Sequence, residues 1–401
     1  MLTFSEIEAA RRRIRDSVYL TPFAHTETLS KLAGCRVHLK LENLQMTGSF
    51  KERGALNKLL TTAPEVQQKG IVTASAGNHA QGVAYHCQRL GVAATIVMPE
   101  GTPLIKVSRT RDFGANVVLS GATYDDASAE AARLAREESL ELVHPFDDLA
   151  VMAGQGTMGL EILEQNPYVD VVVVSIGGGG LVAGVAVALK ETNPKIQVIG
   201  VEAAKIASMK ASVAAGAVVT LPAARTIADG IAVRTVGEQT FPVVARYVDD
   251  IVTVDEEEIA NAILLLLEGE KTVAEGAGAA PLAALVHGKL RVEGKRVGLV
   301  VSGGNIDVNV VSRIIERGLV KSGRLMRAFV RISDQVGVLA DLTGLVSRMR
   351  ASILQIHHNR AFSRQPLGGA IVELVLETRG FSHIEDIARG LRDAGYEVEL
   401  G

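Results

Sequence analysis

The sequence predicts an α/β protein of two lobes, followed by a small α+β domain with a ferredoxin-like order of elements. Over roughly the first 310 residues, short β-branched runs alternate with longer helical patterns, which is typical of parallel sheets covered by helices. The run 171–174 is apolar at every position, as expected for a strand buried on both faces. Since about 300 residues exceed what one hydrophobic core usually holds, we expect two lobes with a cleft between them.

The elements of the first part follow from the spacing of apolar residues. Residues 37–42 alternate between apolar and polar side chains, which predicts a half-buried strand. Further strands are predicted at 71–74, 94–98, 116–119, 169–174, 196–202, 251–254 and 297–301, and helices at 55–60, 78–90, 124–138, 158–165 and 182–190. The pattern continues to about residue 320, so residues 1–320 are predicted to form one two-lobed domain.

The pattern changes after the basic segment 313–324. Strands are predicted at 326–333, 352–359, 369–377 and 396–400, with a helix at 338–349 and a second helix ending near residue 394. Ser382 and Glu385 have the spacing of a capping box, which predicts that the second helix starts at Ser382. The order β-α-β-β-α-β predicts a split βαβ domain at 326–401. Because this segment has no obvious catalytic cluster, we predict a regulatory role for it.

Composition excludes several classes of protein. The 401 residues include 45 acidic and 42 basic side chains, so there is no electrostatic footprint for nucleic acid or an anionic membrane. Two cysteines cannot form a disulfide framework and fit a reducing compartment, for which we expect the cytoplasm. The uncharged run 171–189 is long enough to imitate a membrane span, but four glycines interrupt it. A strand, a turn and a buried helix explain this run better.

The segment 47–54 places Lys51 between a strand with its loop and a helical pattern. A lysine at such a junction is usually a solvated residue. The apolar neighbour Phe50 and the small residues around it favour partial burial, which would lower the pKa of the amine, as Schiff-base chemistry requires.

The segment 75–82 follows the strand 71–74 directly and opens the next helix. Backbone N–H groups at a helix N-terminus bind carboxylate or phosphate well. Ser75 and Asn78 add polar side chains to this turn. His79 is either a part of the site or a packed residue of the first helical turn.

The segment 175–181 contains the glycines Gly177, Gly178, Gly179 and Gly180, between a valine-rich strand and a helix. Consecutive glycines at this junction let backbone amides turn inward around an anion, so the turn predicts a phosphate site. Gly178, Gly180 and Ala183 also satisfy the dinucleotide-binding fingerprint, with Glu202 as the acidic residue. A nicotinamide enzyme would leave the Lys51 and Asn78 segments unexplained.

Ser302 begins a fourth loop, Ser302-Gly303-Gly304-Asn305, at the end of a predicted strand. Ligands of open α/β sheets bind beyond the carboxyl ends of the strands. The loops that carry Lys51, Asn78, the four glycines and Ser302 are therefore predicted to surround one ligand. It should have a phosphate, a carbonyl that reacts with an amine, and polar ring atoms, and pyridoxal phosphate has all three.

With these motifs, residues 5 to 320 resemble the fold-type II pyridoxal-phosphate enzymes, and most closely the threonine/serine dehydratases. The resemblance implies that Lys51 holds the cofactor as a Schiff base and removes the substrate Cα proton. Phe50 would then pack near the cofactor ring, and Asn78 would bond to the ring hydroxyl. Ser302 would contact the pyridine nitrogen.

The same resemblance assigns the anion-binding turns. The amides of Gly177, Gly178, Gly179, Gly180 and Leu181 would bind the cofactor phosphate. The turn with Ser75, Asn78 and His79 would receive the substrate carboxylate. The implied reaction is the α,β-elimination that converts L-threonine to 2-oxobutanoate and ammonia, and L-serine to pyruvate and ammonia.

Two departures from related families narrow the prediction. Serine racemases resemble this chain but carry a second serine in the turn where Ala76 stands, and alanine has no proton to give. Their divalent cation is bound by a glutamate and by an aspartate six residues later. Here Ser208 stands six residues after Glu202, so no metal ligand is assigned. The resemblance leaves room for a monovalent cation.

Residues 326–401 resemble an ACT domain, with the segment 334–339 at its first strand-to-helix turn. This resemblance implies a homotetramer regulated by isoleucine or valine.

Three other functions remain as alternatives to a threonine dehydratase. They are a dehydratase for another β-hydroxy amino acid, such as serine or hydroxyaspartate, an NAD-dependent enzyme, and a non-catalytic amino-acid sensor.

Overall fold

The computed structural model describes residues 1–360 and 368–401. They divide into two compact units, Met1–Ile306 and Asp307–Gly401. The strands of the first unit are β1 (Phe23–Thr26), β2 (Arg36–Leu41), β3 (Ile71–Ala74), β4 (Ala94–Met98), β5 (Asn116–Leu119), β6 (Glu141–Leu142), β7 (Val171–Ser175), β8 (Gln197–Ala203), β9 (Asp250–Val254) and β10 (Arg296–Val301).

The helices of the first unit cover both sheets that these strands form. They are α1 (Phe4–Ile14), α2 (Glu27–Ala33), α3 (Lys51–Thr61), α4 (Pro64–Gln67), α5 (Asn78–Leu90), α6 (Leu104–Asp112), α7 (Tyr124–Glu137), α8 (Leu149–Gln165), α9 (Gly180–Thr192), α10 (Ser208–Ala215), α11 (Thr240–Tyr247), α12 (Glu256–Glu270) and α13 (Gly276–Val286).

Two sheets give the first unit its two lobes. The larger sheet has the strand order β1-β2-β10-β7-β8-β9, and all of its pairs are parallel except β1 with β2. The smaller sheet has the order β5-β4-β3-β6 and is parallel throughout. Every residue of β7 is buried, which confirms the strand predicted from its unbroken apolar run. The two-lobed α/β prediction is confirmed.

Each lobe has its own hydrophobic core. The larger core is formed mainly by α8, α9 and β7, and the smaller one by α5, β3 and β4. The uncharged run 171–189 forms, in order, β7, the glycine turn and most of α9, as predicted. Among the described residues, no helix combines the length and the apolar character that a membrane crossing needs.

A buried ionic cluster fixes α3 between β2 and α8. Arg53, in the first turn of α3, donates to both carboxylate oxygens of Glu42 and of Glu161. Lys40 of β2 donates to Glu161 at 2.6 Å. Removing one partner of such a buried set leaves a charge uncompensated, so the cluster holds the start of α3 in one place.

The second unit begins with α14 (Val308–Lys321), which packs against the following strand. It continues with β11 (Leu325–Ser333), α15 (Val338–Arg348), β12 (Ser352–Asn359), β13 (Gly369–Glu377), α16 (Phe381–Asp393) and β14 (Glu397–Leu400). The antiparallel sheet has the order β12-β13-β11-β14, which is the ferredoxin-like arrangement predicted from the sequence. The division between the units lies at residue 306, whereas the sequence prediction carried the first domain to residue 320.

Three local predictions were wrong. The helix α16 begins at Phe381 after Gly380, so Ser382 lies inside the helix and makes no cap. Helix α3 begins at Lys51 rather than at residue 55, and α8 begins at Leu149 rather than at 158. The short edge strand β1 was not predicted, because its four residues give too little alternation to recognise.

Candidate active site

Backbone pairing brings the Lys51 segment beside the Ser302 loop. The Phe50 N–H donates to the Ser302 carbonyl at 3.0 Å, and the Gly304 N–H donates to the Gly48 carbonyl at 2.9 Å. Gly48 has φ of +74°, and a Cβ at this position would lie 2.7 Å from an oxygen of Asn305. Glycine is therefore needed for the close approach of the two loops. The pairing fixes Lys51, at the start of α3, next to the end of β10.

The Lys51 amine lies in a partly buried position. Its Nζ donates to the Pro145 carbonyl at 2.7 Å and lies 5.2 Å from the centre of the Phe50 ring. Burial lowers the pKa of Lys51 from 10.5 to about 8, against the opposing effect of the Glu275 carboxylate. An amine with this pKa is partly neutral at pH 7 to 8, which nucleophilic and basic lysines require.

The tetraglycine turn contacts the segment whose Pro145 carbonyl accepts the hydrogen bond from Lys51. A Cβ at Gly178 would lie 2.3 Å from the Phe146 ring, and a Cβ at Gly180 would lie 2.7 Å from the Phe146 carbonyl oxygen. Because Phe146 follows Pro145, one short segment contacts both the amine and the turn. Gly178 and Gly180 make room for this segment, and a longer side chain at either position would displace it.

The turn itself has a fixed conformation and opens a helix. Gly179, with φ of +99°, is the N-cap of α9. The Thr240 hydroxyl donates to the Gly178 carbonyl at 2.6 Å, and the Gly237 N–H donates to the same oxygen at 3.2 Å. The first amides of a helix have no acceptor within the helix, so this end of α9 suits an anion such as phosphate.

A polar network connects three of the predicted loops. Asn78 donates through Nδ2 to Glu275 Oε1 at 2.7 Å, and its Oδ1 accepts from Asn305 Nδ2 at 2.8 Å. Asn305 also donates to the Thr47 carbonyl at 2.7 Å, and the Glu275 N–H donates to the Gly303 carbonyl at 3.0 Å. The structure therefore brings Asn78, the Lys51 loop and the Ser302 loop together, across the two sheets.

The remaining predicted residues lie at the ends of β3 and β10. Ser75 accepts the Gly77 N–H at 3.3 Å, and Ser302 is only 2% exposed. His79 is 2% exposed, with Nε2 at 3.1 Å from the Val143 carbonyl. Burial is the main reason why the pKa of His79 is lowered to about 3. This agrees with a packed imidazole, and a contact of His79 with substrate stays a prediction.

Sequence reasoning missed Phe146, Glu275 and the role of Asn305. Glu275 stands directly before the small residues at the start of α13, and this position was the one feature of the sequence that could have marked it as a site residue. Burial raises the pKa of Glu275 from 4.5 to about 7, although the Asn78 amide opposes the shift. The carboxyl can therefore hold or release a proton near neutral pH, beside the side chain predicted to bond to the cofactor.

The raised pKa of Glu275 makes the stability of the cofactor-free protein depend on pH. Between pH 4.5 and 7 the folded protein binds this proton more tightly than the unfolded chain, so the contribution of Glu275 to stability falls as the pH rises. Glu275→Gln removes that loss, worth about 3 kcal/mol at most. We expect the Tm of the variant, relative to wild type, to be several degrees higher at pH 8 than at pH 5. A relative Tm that does not change with pH would show that Glu275 is ionised throughout.

Glu202 and Ser208 are engaged by the protein itself. Both oxygens of Glu202 accept backbone N–H groups at 2.8 Å, from Met209 and from Lys210, and Ser208 donates to the Val233 carbonyl at 2.7 Å. The dinucleotide hypothesis required Glu202 to receive a ribose hydroxyl, and the engagement of both its oxygens by backbone N–H groups argues against this alternative. In residues 1–360 and 368–401, no three His, Cys, Asp or Glu side chains are grouped as a metal site would require.

Comparison with known proteins supports one reading of this geometry. Residues 14–303 match the family model described as pyridoxal-phosphate dependent enzyme. An L-threonine ammonia-lyase of Thermotoga maritima is 49% identical over 400 residues, and the match covers 100% of both chains.

Two solved structures each match more than three quarters of the chain. The processed form of threonine deaminase isoform 2 from Solanum lycopersicum is 38% identical, with a TM-score of 0.75, over 78% of this chain and 86% of that one. A serine racemase from Dictyostelium discoideum is 36% identical, with a TM-score of 0.73, over 77% of this chain and 99% of that one.

Proposed function

Because the chain belongs to the family of pyridoxal-phosphate-dependent enzymes, we propose that it is an L-threonine ammonia-lyase that also accepts L-serine. The products would be ammonia with 2-oxobutanoate from threonine, or with pyruvate from serine. One observation supports the proposal above all: the Lys51 amine, with a pKa of about 8, lies against the segment that contacts the tetraglycine turn. The full-length similarity to the Thermotoga maritima enzyme favours threonine as the substrate.

The residues present fit pyridoxal phosphate. Lys51 would hold its aldehyde carbon, and the amides from Gly177 to Leu181 would bind its phosphate at the start of α9. Asn78 would bond to the ring hydroxyl, with Phe50 beside the ring. Two observations support this assignment. The glycine turn leaves its backbone open where a Cβ at Gly178 or Gly180 would clash with Phe146, and the nearby Lys51 amine has a lowered pKa.

The side chains of the site have distinct tasks in an elimination. When bound, pyridoxal phosphate supplies an electron sink for the charge that develops as the substrate Cα loses its proton. Lys51 would accept that proton, because a pKa of about 8 leaves part of the amine neutral at neutral pH. The turn with Ser75, Asn78 and His79 would hold the substrate carboxylate.

Ser302 would direct the reaction toward loss of the β-hydroxyl. It is the residue that we assign to the pyridine nitrogen, and a hydroxyl cannot keep this nitrogen protonated as a carboxylate would. Less negative charge then spreads into the ring, so elimination competes better with transamination and racemisation. Ala76, which carries no proton, gives racemisation no acid on the opposite face.

We assign residues 1–320 to catalysis and residues 326–401 to regulation, as an ACT domain. The ferredoxin-like order of the second unit supports this assignment. The proposed enzyme is a cytoplasmic homotetramer that isoleucine or valine controls through the ACT domains. Control of this kind requires the effector to bind the active and the less active state with different affinity.

A comparison of substrates tests the proposed function. Purified protein is supplied with pyridoxal phosphate, and release of 2-keto acid is measured with L-threonine, L-serine and 3-hydroxyaspartate in parallel, together with formation of D-serine. We expect the largest kcat/KM with L-threonine, a lower value with L-serine and no D-serine. A clear preference for 3-hydroxyaspartate, or racemisation faster than elimination, would contradict the proposal.

The regulatory assignment has its own test. Initial rates are measured across the threonine range with isoleucine, with valine and with leucine as a control, and the mass of the assembly is measured by light scattering. We expect isoleucine or valine to shift the half-saturating threonine concentration, while leucine has less effect. Rates that neither amino acid changes would exclude this form of control and leave the lyase activity untouched.

A further inference from the structure

The residue after Lys51 is a fully buried glutamate that closes the loop before it. Glu52 turns back over its own helix end, and its Oε1 accepts the Thr47 N–H. The loop between these two residues is the one that pairs with Ser302 and Gly304 through Phe50 and Gly48. The carboxyl of Glu52 thus fastens the segment that presents Lys51.

The second oxygen of this carboxyl faces a buried histidine. Glu52 Oε2 lies 3.9 Å from His86 Nε2, and the side chains of both residues are 0% exposed. Neither atom has a hydrogen-bond partner among the described residues, and the same holds for His86 Nδ1. Buried polar groups are almost always hydrogen-bonded, so two adjacent unpartnered groups call for an explanation.

Helix α5 brings His86 to this position. Gly82, one turn before His86, lies against the start of α3, where a Cβ would be 3.3 Å from both the Lys51 carbonyl carbon and the Glu52 nitrogen. This close contact places the two helices so that the His86 ring points to the same end of α3. A movement of about 1 Å brings Glu52 Oε2 and His86 Nε2 within hydrogen-bond distance.

We propose that Glu52 and His86 form a neutral carboxyl–imidazole pair, in which protonated Glu52 Oε2 donates to His86 Nε2, and that this pair positions the loop carrying Lys51. Glu52 then acts as a donor to His86 and an acceptor for Thr47 at the same time. The inference rests on the proposed role of Lys51, but it does not depend on which amino acid is the substrate.

The electrostatic surroundings agree with a neutral pair. Burial raises the pKa of Glu52, and it is the main cause that lowers the pKa of His86 to about 3, with Arg89 adding to the second effect. Of the nearby charges, Glu42 raises the pKa of Glu52 and Arg53 lowers it. The guanidinium of Arg53 is committed to Glu42 and Glu161, so it offers Glu52 no ion pair.

Substitution by glutamine separates this proposal from an ionised glutamate. Glutamine is neutral, accepts from Thr47 and donates to His86, whereas leucine does neither. We expect the full-length Glu52→Gln variant to keep the wild-type affinity for pyridoxal phosphate. The pH midpoint at which the absorbance of the bound cofactor changes should also stay at its wild-type value. Glu52→Leu and His86→Leu should each weaken cofactor affinity about tenfold and shift that midpoint. Glu65→Gln, at an exposed position of α4, controls for the loss of one carboxylate.

Infrared spectroscopy gives a second readout. It requires neither enzyme activity nor correct folding of the two leucine variants. The wild-type holoenzyme should show the carbonyl stretch of a protonated carboxylic acid at neutral pH, and the band should be absent from Glu52→Gln. A spectrum without this difference, or a Gln variant as impaired in cofactor binding as the Leu variant, would overturn the proposal. A wild-type holoenzyme that shows the infrared band but does not turn over threonine would instead count against the proposed function, and it would leave the Glu52–His86 pair supported.

Discussion

Replacing Lys51 by alanine should lower the rate of 2-oxobutanoate release from L-threonine by about a thousandfold or more, because the variant lacks both the cofactor anchor and the proton acceptor. Within the part of the chain that the structure describes, the side chain makes one hydrogen bond, to the Pro145 carbonyl, so its removal should leave the fold intact. The measurement is the initial rate with excess pyridoxal phosphate. Circular dichroism then checks that the structure is retained.

A second lysine controls for the loss of charge. Lys69 is exposed and follows α4, away from the loops of the site. Lys69→Ala should keep wild-type activity and the absorbance of the bound cofactor, whereas Lys51→Ala should lose both. Substantial turnover by the Lys51 variant would mean that another group removes the Cα proton, and the assignment of Lys51 would be wrong.

Gly178→Ala should weaken the binding of pyridoxal phosphate by about tenfold or more. The new Cβ would lie 2.3 Å from the Phe146 ring, so either the turn or the neighbouring segment must move. Overpacking of this kind typically costs about 1–3 kcal/mol. Since the chain contains no tryptophan, affinity is best measured by equilibrium dialysis or by the absorbance of bound cofactor.

Matched variants show whether the effect comes from the turn. Gly101→Ala adds the same methyl group where no atom of the described residues lies within 4 Å, so cofactor affinity should not change. Phe146→Leu, introduced with Gly178→Ala, removes ring atoms from the clash and should restore part of the lost affinity. If Gly178→Ala binds the cofactor as tightly as Gly101→Ala does, the tetraglycine turn is not the phosphate site.

Local patterns in the sequence were sufficient for the elements that frame the site. Strand β3 and helix α5 have the predicted bounds, because a short buried run and an amphipathic helix can each be recognised from their own residues. The glycine turn and Lys51 were identified for the same reason, since four glycines at a strand-to-helix junction form a local signal. The ferredoxin-like order of the second unit followed from the sequence of elements alone.

Long-range contacts decided the features that the sequence did not reveal. Helix α8 was predicted nine residues too short because Gly154 and Gly156 weaken the local helix signal. Their reason lies in other elements: a Cβ at Gly154 would be 2.5 Å from the Arg53 carbonyl oxygen, and one at Gly156 would be 2.8 Å from the Gly184 carbonyl oxygen. Only the packing of three helices explains these glycines.

Neighbouring residues specify the kinds of element and the chemistry available at the strand ends, because both are local properties. Which distant groups meet at those ends depends on the packing of the whole fold. Glu275 is 197 positions from Asn78, whose side-chain amide donates to it, and Phe146 reaches the glycine turn from the segment between β6 and α8. The environment that lowers the pKa of Lys51 arises only when these segments exclude water together, so it could not be predicted from any single motif.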